Sequence, residues 1–206
     1  MMTFRFARRL AALAWFAAVS VPTAPSGAQD KPPLPPSSEE EETAPEPRPR
    51  PVSPQTEEVL GAATKFAREV EQVLDNWVTS GSLPEDRLFS RLYYPMPNTD
   101  PTKYTTDYDV LADRDLPGIQ EKYAAKSSMI GYAILVDING YVPTHNRRFS
   151  QPLTGNRAVD LVNNRTKRIF GDLVGFRAAR NREPYLIQQY QRDTGELMAD
   201  LSIPVR

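Results

Sequence analysis

Residues 129–146 read MIGYAILVDINGYVPTHN, and residues 184–206 read PYLIQQYQRDTGELMADLSIPVR. Each is an apolar, β-prone run broken by a turn signal. Asn139-Gly140 supplies the positive backbone φ that a two-residue hairpin turn demands, and Thr194-Gly195 marks a second turn. Pro143 cannot donate to a ladder, so it keeps the strand after the first turn short or at an edge. In the last strand Leu197, Ala199, Leu201, Ile203 and Val205 recur with a period of two, which predicts one buried face. The two hairpins define an antiparallel sheet.

Upstream the period changes from two to that of a helix. Between Glu57 and Val78, apolar residues stand at 59, 60, 63, 66, 67, 70, 73, 74 and 77, the stripe of a long amphipathic helix. Glu57 and Glu58 in its first turn complement the helix dipole, and Gly81 lies just past its end. Such a stripe can face the chain's own core or pair with another chain. A short helical pattern covers Glu85 to Leu92, and the acidic, proline-bearing stretch that follows is expected to wrap the core. A further helix is expected over Leu116 to Ser127, with Pro117 in its first turn. Between the hairpins, Asn163 to Phe170 is the best short helix. Helices that precede and interrupt an antiparallel sheet make an α+β domain of 57–206.

The 206 residues carry 25 Lys and Arg against 26 Asp and Glu, a balance that hides three regions. Residues 1–28 combine a basic start, MMTFRFARR, with a 12-residue apolar run from Leu10 to Val21, too short to span a bilayer and typical of an export signal. Ser26-Gly27-Ala28 suits cleavage before Gln29; the alternative is an uncleaved anchor or a buried helix. Residues 29–56, with nine of the chain's 20 prolines, are expected to be a disordered, Pro/Glu-rich linker. The expected location is therefore periplasmic or secreted, with no membrane span once the signal is removed.

Composition excludes several chemistries. Without cysteine there is no disulfide, thiolate nucleophile or Cys-ligated metal, and one histidine cannot form a His cluster. No P-loop, Gly-x-Gly-x-x-Gly or Gly-x-Ser-x-Gly motif occurs, so no enzyme activity and no cofactor is expected. The neutral total gives no support to nucleic-acid binding. Asp107/Asp109 and Asp113/Asp115 do not follow a calcium-loop spacing.

Several longer strings carry a resemblance. RLFSRLYYPMPNTDPTKYTTDYDVLADRDLPGIQ, DINGYVPTHNRRFSQPLTGN, NNRTKRIFGDLVGFRAARN and EPYLIQQYQRDTGELMADLSIPV, in that order, resemble the periplasmic Cache/PAS-like sensor domain of proteobacterial methyl-accepting chemotaxis receptors. The resemblance implies a non-enzymatic small-molecule-sensing module: a long N-terminal helix on an antiparallel sheet, with a pocket between the sheet and its covering loops. Two departures stand out. Those receptors continue into a further sheet strand, a membrane helix and signalling helices, whereas this chain ends at Arg206. It is expected to be a solitary sensor or an interrupted receptor, and the missing final strand is expected to leave an open edge that invites another strand.

Charge locates the expected ligand site. Residues 57–146 sum to −6, residues 147–182 to +7 and residues 183–206 to −2. The basic insertion between the hairpins suits a small anion, an organic or amino acid, unless its arginines pair with the acidic 100–115 stretch instead. Arg165 and Arg168 would share one helix face with Lys167 turned away, which makes them anion contacts. Tyr141, His145 and Asn146, just past the Asn-Gly turn, are further ligand candidates; a hydrogen-bonded structural role is the other reading of His145. Phe149, Ile169, Phe170 and Tyr185 are expected in the core or the pocket wall. The other functional reading is an interaction protein that forms a homodimer, or binds a membrane receptor, through helix 57–78 and the last strand.

Overall fold

The computed structural model describes residues 13–20, 54–191 and 197–206. The expected linker and the Thr194-Gly195 turn lie largely or wholly outside the described residues. Helix α1 (Pro54–Thr79) begins three residues before its expected start, with Pro54 where the missing N–H costs nothing. Its stripe is used within the chain: Val59, Phe66, Val70, Leu74 and Trp77 are all buried. Burying such a side chain is worth about 1.5–3 kcal/mol, so this face anchors the helix to its own domain. Gly81, at φ 74°, ends the helix in the left-handed region.

A short helix, α2 (Glu85–Leu88), and a two-residue ladder, β2 (Tyr94–Pro95) against β3 (Tyr104–Thr105), follow. Helix α3 (Asp109–Ala124) differs from the expectation. It starts seven residues earlier, so Pro117 lies inside it. Asp109 explains the earlier start, because its carboxylate accepts the Thr106 N–H at 3.1 Å and the Thr106 hydroxyl at 2.8 Å, gathering the chain just before the helix. Trp77 ties α1 to α3 by donating its indole N–H to Asp115 at 2.6 Å.

Of the first expected hairpin only the turn forms: β4 (Ile130–Val136) turns back through Asn139-Gly140 into β5 (Tyr141–Val142), but β5 shares no ladder with β4, because the neighbour of β4 is a strand from earlier in the chain and Pro143, with no N–H to donate, ends β5 after two residues. A single 3₁₀ turn (Arg147–Phe149) and helix α4 (Arg157–Asn163) open the insertion. The expected helix over 163–170 is absent. Asn164 bridges to Ser150, and β6 (Arg168–Ile169) pairs with β5 instead. Lys167, at φ 61°, turns the chain into that strand, with its N–H on the Val142 carbonyl at 2.8 Å. Helix α5 (Leu173–Ala179), capped by Asp172, leads to β7 (Leu186–Gln191), β8 (Leu197–Ser202) and β9 (Pro204–Val205).

One further strand, β1 (Leu13–Ser20), comes from the expected export signal. The main sheet has the order β4-β1-β8-β7, with β9 also on β1, and every pairing is antiparallel. The edge expected to stand open beside the last strand is therefore closed by residues 13–20. Both faces of β8 are covered along its second half, where Asp200 and Ser202 are as buried as Leu201; Met198 is buried too. One sheet face packs on α1 and α3 through Ala133, Leu135, Leu201, Ile203 and Val205. The other carries Tyr132, Ile134, Val136 and Met198, and packs on Val142, Phe149 and α5.

Candidate functional site

The second face of the sheet does not fill completely. Between it and the basic insertion lies a cavity of about 630 Å³, within the range of small-ligand sites. Its floor is Tyr132, Ile134 and Val136 of β4 with Asp200 of β8; its cover is Arg165, Arg168, Phe170 and the start of α5; His145 and Tyr190 stand at the sides. Alternation along β4 sends 132, 134 and 136 to this face and 133 and 135 to the helical core.

Arg165 and Arg168 reach the cavity by a route other than the expected one. They sit on the extended segment through β6, not on a helix. Their guanidinium groups lie 5.6 and 4.9 Å from the centre of the Phe170 ring, so one aromatic ring holds both. Arg168 also donates to the Leu161 carbonyl at 3.2 Å. Lys167 turns away, as expected, and pairs with Asp113 at 2.8 Å and Asp109 at 3.4 Å. Arg157 pairs with Asp100 at 3.1 Å. The basic insertion thus splits: part of it neutralises the acidic 100–115 stretch, and part of it faces the cavity.

His145 lines the cavity and is also held structurally. Its Nδ1 accepts the Asn146 N–H at 2.8 Å, which puts the proton of the neutral ring on Nε2. The ring packs edge-on against Tyr132 and Phe149, with centroids at 5.3 and 5.0 Å. Tyr132 and Tyr190 join hydroxyl to hydroxyl at 2.8 Å, linking β4 to β7 across the sheet.

Two expected ligand residues lie elsewhere. Tyr141 points away from the cavity into the helical core, fully buried, with its hydroxyl on Asp109. Asn146 is a bracket: its Oδ1 accepts the Ala133 N–H at 2.8 Å and its Nδ2 donates to Glu121 at 3.1 Å. Along β5 successive side chains alternate, so Tyr141 faces the helical core while Val142 faces the cavity; beyond Pro143 the chain leaves the ladder, and His145 lines the cavity while Asn146 turns to β4 and α3. Of the aromatic and aliphatic residues expected in core or wall, Phe170 lines the cavity, Phe149 is buried beside it, Ile169 packs on the helical core, and Tyr185 is 40% exposed.

Asp172 and Asp200 also line the cavity, and no motif in the sequence marks either as a site residue. Asp172 is the cap of α5, accepting the Gly175 N–H at 2.8 Å. Burial pushes the Asp200 carboxyl well above the ordinary carboxylate range, and neighbouring Asp172 adds to the shift. Among the described residues its oxygens have no partner in bonding geometry, although Gln188 lies close enough to favour the ionised form slightly. The one signal for Asp200 is the alternation of the last strand, which sets an acid opposite the apolar face.

Lys103 completes the electrostatics on the cover. Its ammonium donates to Asn164 Oδ1 and to the Thr166 carbonyl at 2.5 Å, within the field of Arg168 and Lys167. Burial, with those two cations, lowers its pKa to about 8. Among the described residues no group of three or more acids and histidines could hold a metal ion, and no helix is long and apolar enough to cross a membrane.

No protein-family model matches this chain, and no curated protein or solved structure matches it either.

Proposed function

We propose that the chain is a non-enzymatic, Cache/PAS-like sensing or binding module that works outside the cytoplasm and takes a small organic anion, amino acids included. The observation that carries this reading is the cavity of about 630 Å³ with Arg165 and Arg168 on its cover and an apolar floor beneath them. Paired guanidinium groups match the two oxygens of a carboxylate, and confinement between sheet and insertion removes water that would weaken that contact. Tyr132, Ile134, Val136 and Phe170 suit a short hydrocarbon body. Asp172 and Asp200 offer a second polar end, which a ligand with an amino or hydroxyl group would use.

The reading as an interaction protein that pairs through helix 57–78 and the last strand has less support, because both surfaces are already covered within the chain. The test is a thermal-shift screen of the full chain against mono- and dicarboxylates and amino acids at millimolar concentration. A ligand that binds only the folded state raises the melting temperature by mass action. No shift with any of them would sink the proposal.

A further inference from the structure

The segment Leu13–Ser20 is the apolar centre of the expected export signal and, at the same time, an interior strand of the main sheet. We infer that the gap between β4 and β8 is a strand-acceptor site whose occupant is Leu13–Ser20 of the same chain, so that cleavage at Ala28-Gln29 would separate the domain from its own central strand.

Among the described residues of the main sheet, β4 is joined to β8 and β7 through β1 alone. Residues 14–19 of β1 pair with β4, residues 17–20 with β8, and residues 13–14 with β9. Remove β1, and what is left is β4, the β7–β8 pair and an unpaired β9, with no ladder between them. The facing edges are not solvent edges: Ala133, Ile134, Leu135, Val136, Asp200, Leu201 and Ser202 are all buried. Backbone N–H and C=O groups there would lose their partners without gaining full access to water, which makes an empty gap costly.

The occupant fits on its own chemistry. LAWFAAVS carries no charge, glycine or proline, and its composition suits a strand with neighbours on both sides. The 33 residues from 21 to 53 can span roughly 110 Å when extended, so the link to α1 does not strain the pairing. Two antiparallel ladders, one on each side, give main-chain affinity of the kind seen when a peptide adds to a sheet. The strand lies between β4 and β8, which carry the cavity floor, but the inference does not rest on the anion reading and its test uses no anion.

The experiment keeps the full chain and places a specific protease site over Glu39–Glu42, so the strand can be cut free after folding. The expected result is that the N-terminal fragment co-elutes with the domain after cutting. Stripping it in mild denaturant should lower the melting temperature by about 10 °C, the scale for losing a large fraction of the stability of a chain of this size. Adding a lysine-flanked LAWFAAVS peptide should restore the loss, and the same peptide with proline at the position of Ala17 should not, because proline breaks the ladder. In the uncut chain, Ala17→Pro should lower the melting temperature by a similar amount. A fragment that departs on cutting with the melting temperature unchanged overturns the inference. So does equal rescue by the two peptides, failure of rescue by both, or an Ala17→Pro chain that melts like the original.

Discussion

The hydroxyl of Tyr141 lies 2.8 Å from Asp109 Oδ2 and 2.9 Å from Oδ1, joining β5 to the start of α3 on the side away from the cavity. Both residues are buried, and the same carboxylate accepts Thr106 and faces Lys167. Tyr141→Phe removes one donor from a buried acid, a loss of about 1–3 kcal/mol. The melting temperature should fall, while the shift produced by a bound anion should keep its size, because Tyr141 does not touch the cavity. A lost anion response in a folded Tyr141→Phe chain would contradict this assignment.

Anion binding should depend on the cavity arginines and not on the insertion's charge as such. Arg165→Gln and Arg168→Gln each remove a charged donor, worth about 1.5–3 kcal/mol where the bond is charge-assisted. Affinity for a carboxylate probe should drop roughly ten- to a hundredfold in each variant. Arg157→Gln removes the same charge from the exposed pair with Asp100 and should leave affinity unchanged. Titration calorimetry on the three chains separates local contact from general attraction; equal losses in all three would favour the latter.

Asp200 should make the protein sensitive to pH in the unusual direction for an acid. Its folded pKa is raised, so the unfolded chain releases the proton first as pH rises. The contribution of this group is therefore fully present below about pH 3.9, the unfolded value, and is lost as pH climbs toward the folded one. Asp200→Asn removes that loss. The variant should melt higher than the original at pH 7, with the gap closing toward pH 4; a gap that widens in acid would refute the assignment.

Lys103 acts at the other end of the scale. Its pKa is lowered to about 8, so between that value and the ordinary lysine range the unfolded chain binds a proton that the folded chain does not, and stability should rise with pH. Burial raises the pKa of Tyr93, Tyr108 and Tyr141, and that of Tyr123 to about 12, so these groups stabilise below about pH 10 and lose that effect above it. The net curve should climb from about pH 8 and turn over near the ordinary tyrosine pKa of about 10. Lys103→Met should flatten the climb without moving the fall, which denaturant melts at closely spaced pH values would resolve.

Elements with local signals are legible in the sequence. The α1 stripe repeats with the helical period, and Asn139-Gly140 carries a turn that needs no partner to form. The basic character of residues 147–182 points to the part of the chain that covers the cavity, where Arg165 and Arg168 meet His145. What brings the two arginines together, however, is pairing of β6 with β5, a non-local event without a periodic signature. The same holds for β1: an interior strand need show no alternation, so LAWFAAVS reads identically as an export segment and as the centre of a sheet. Asp200 is hidden for a related reason, because period-two reasoning assumes one solvent face and β8 is covered on both, by the helical core on one side and by α5 and the insertion on the other.

Two glycines give the sharpest local contrast. Gly140 has φ 83°, and a Cβ there would stand 2.3 Å from the Phe170 carbonyl oxygen. That carbonyl belongs to the residue whose ring holds Arg165 and Arg168, and its own N–H bonds back to the Gly140 carbonyl at 2.8 Å. Gly140→Ala therefore adds left-handed strain of about 1–2 kcal/mol to an overlap that pushes residue 170 away from the turn. Both stability and the anion response should fall. Gly61 sits on the exposed side of α1, and nothing lies within 4 Å of the place an added methyl group would take, so Gly61→Ala should stabilise by about 0.5–1 kcal/mol and leave the anion response intact. Melting curves with and without a carboxylate probe test both at once. An anion response that survives in Gly140→Ala would show that the Asn139-Gly140 turn does not position the cavity cover.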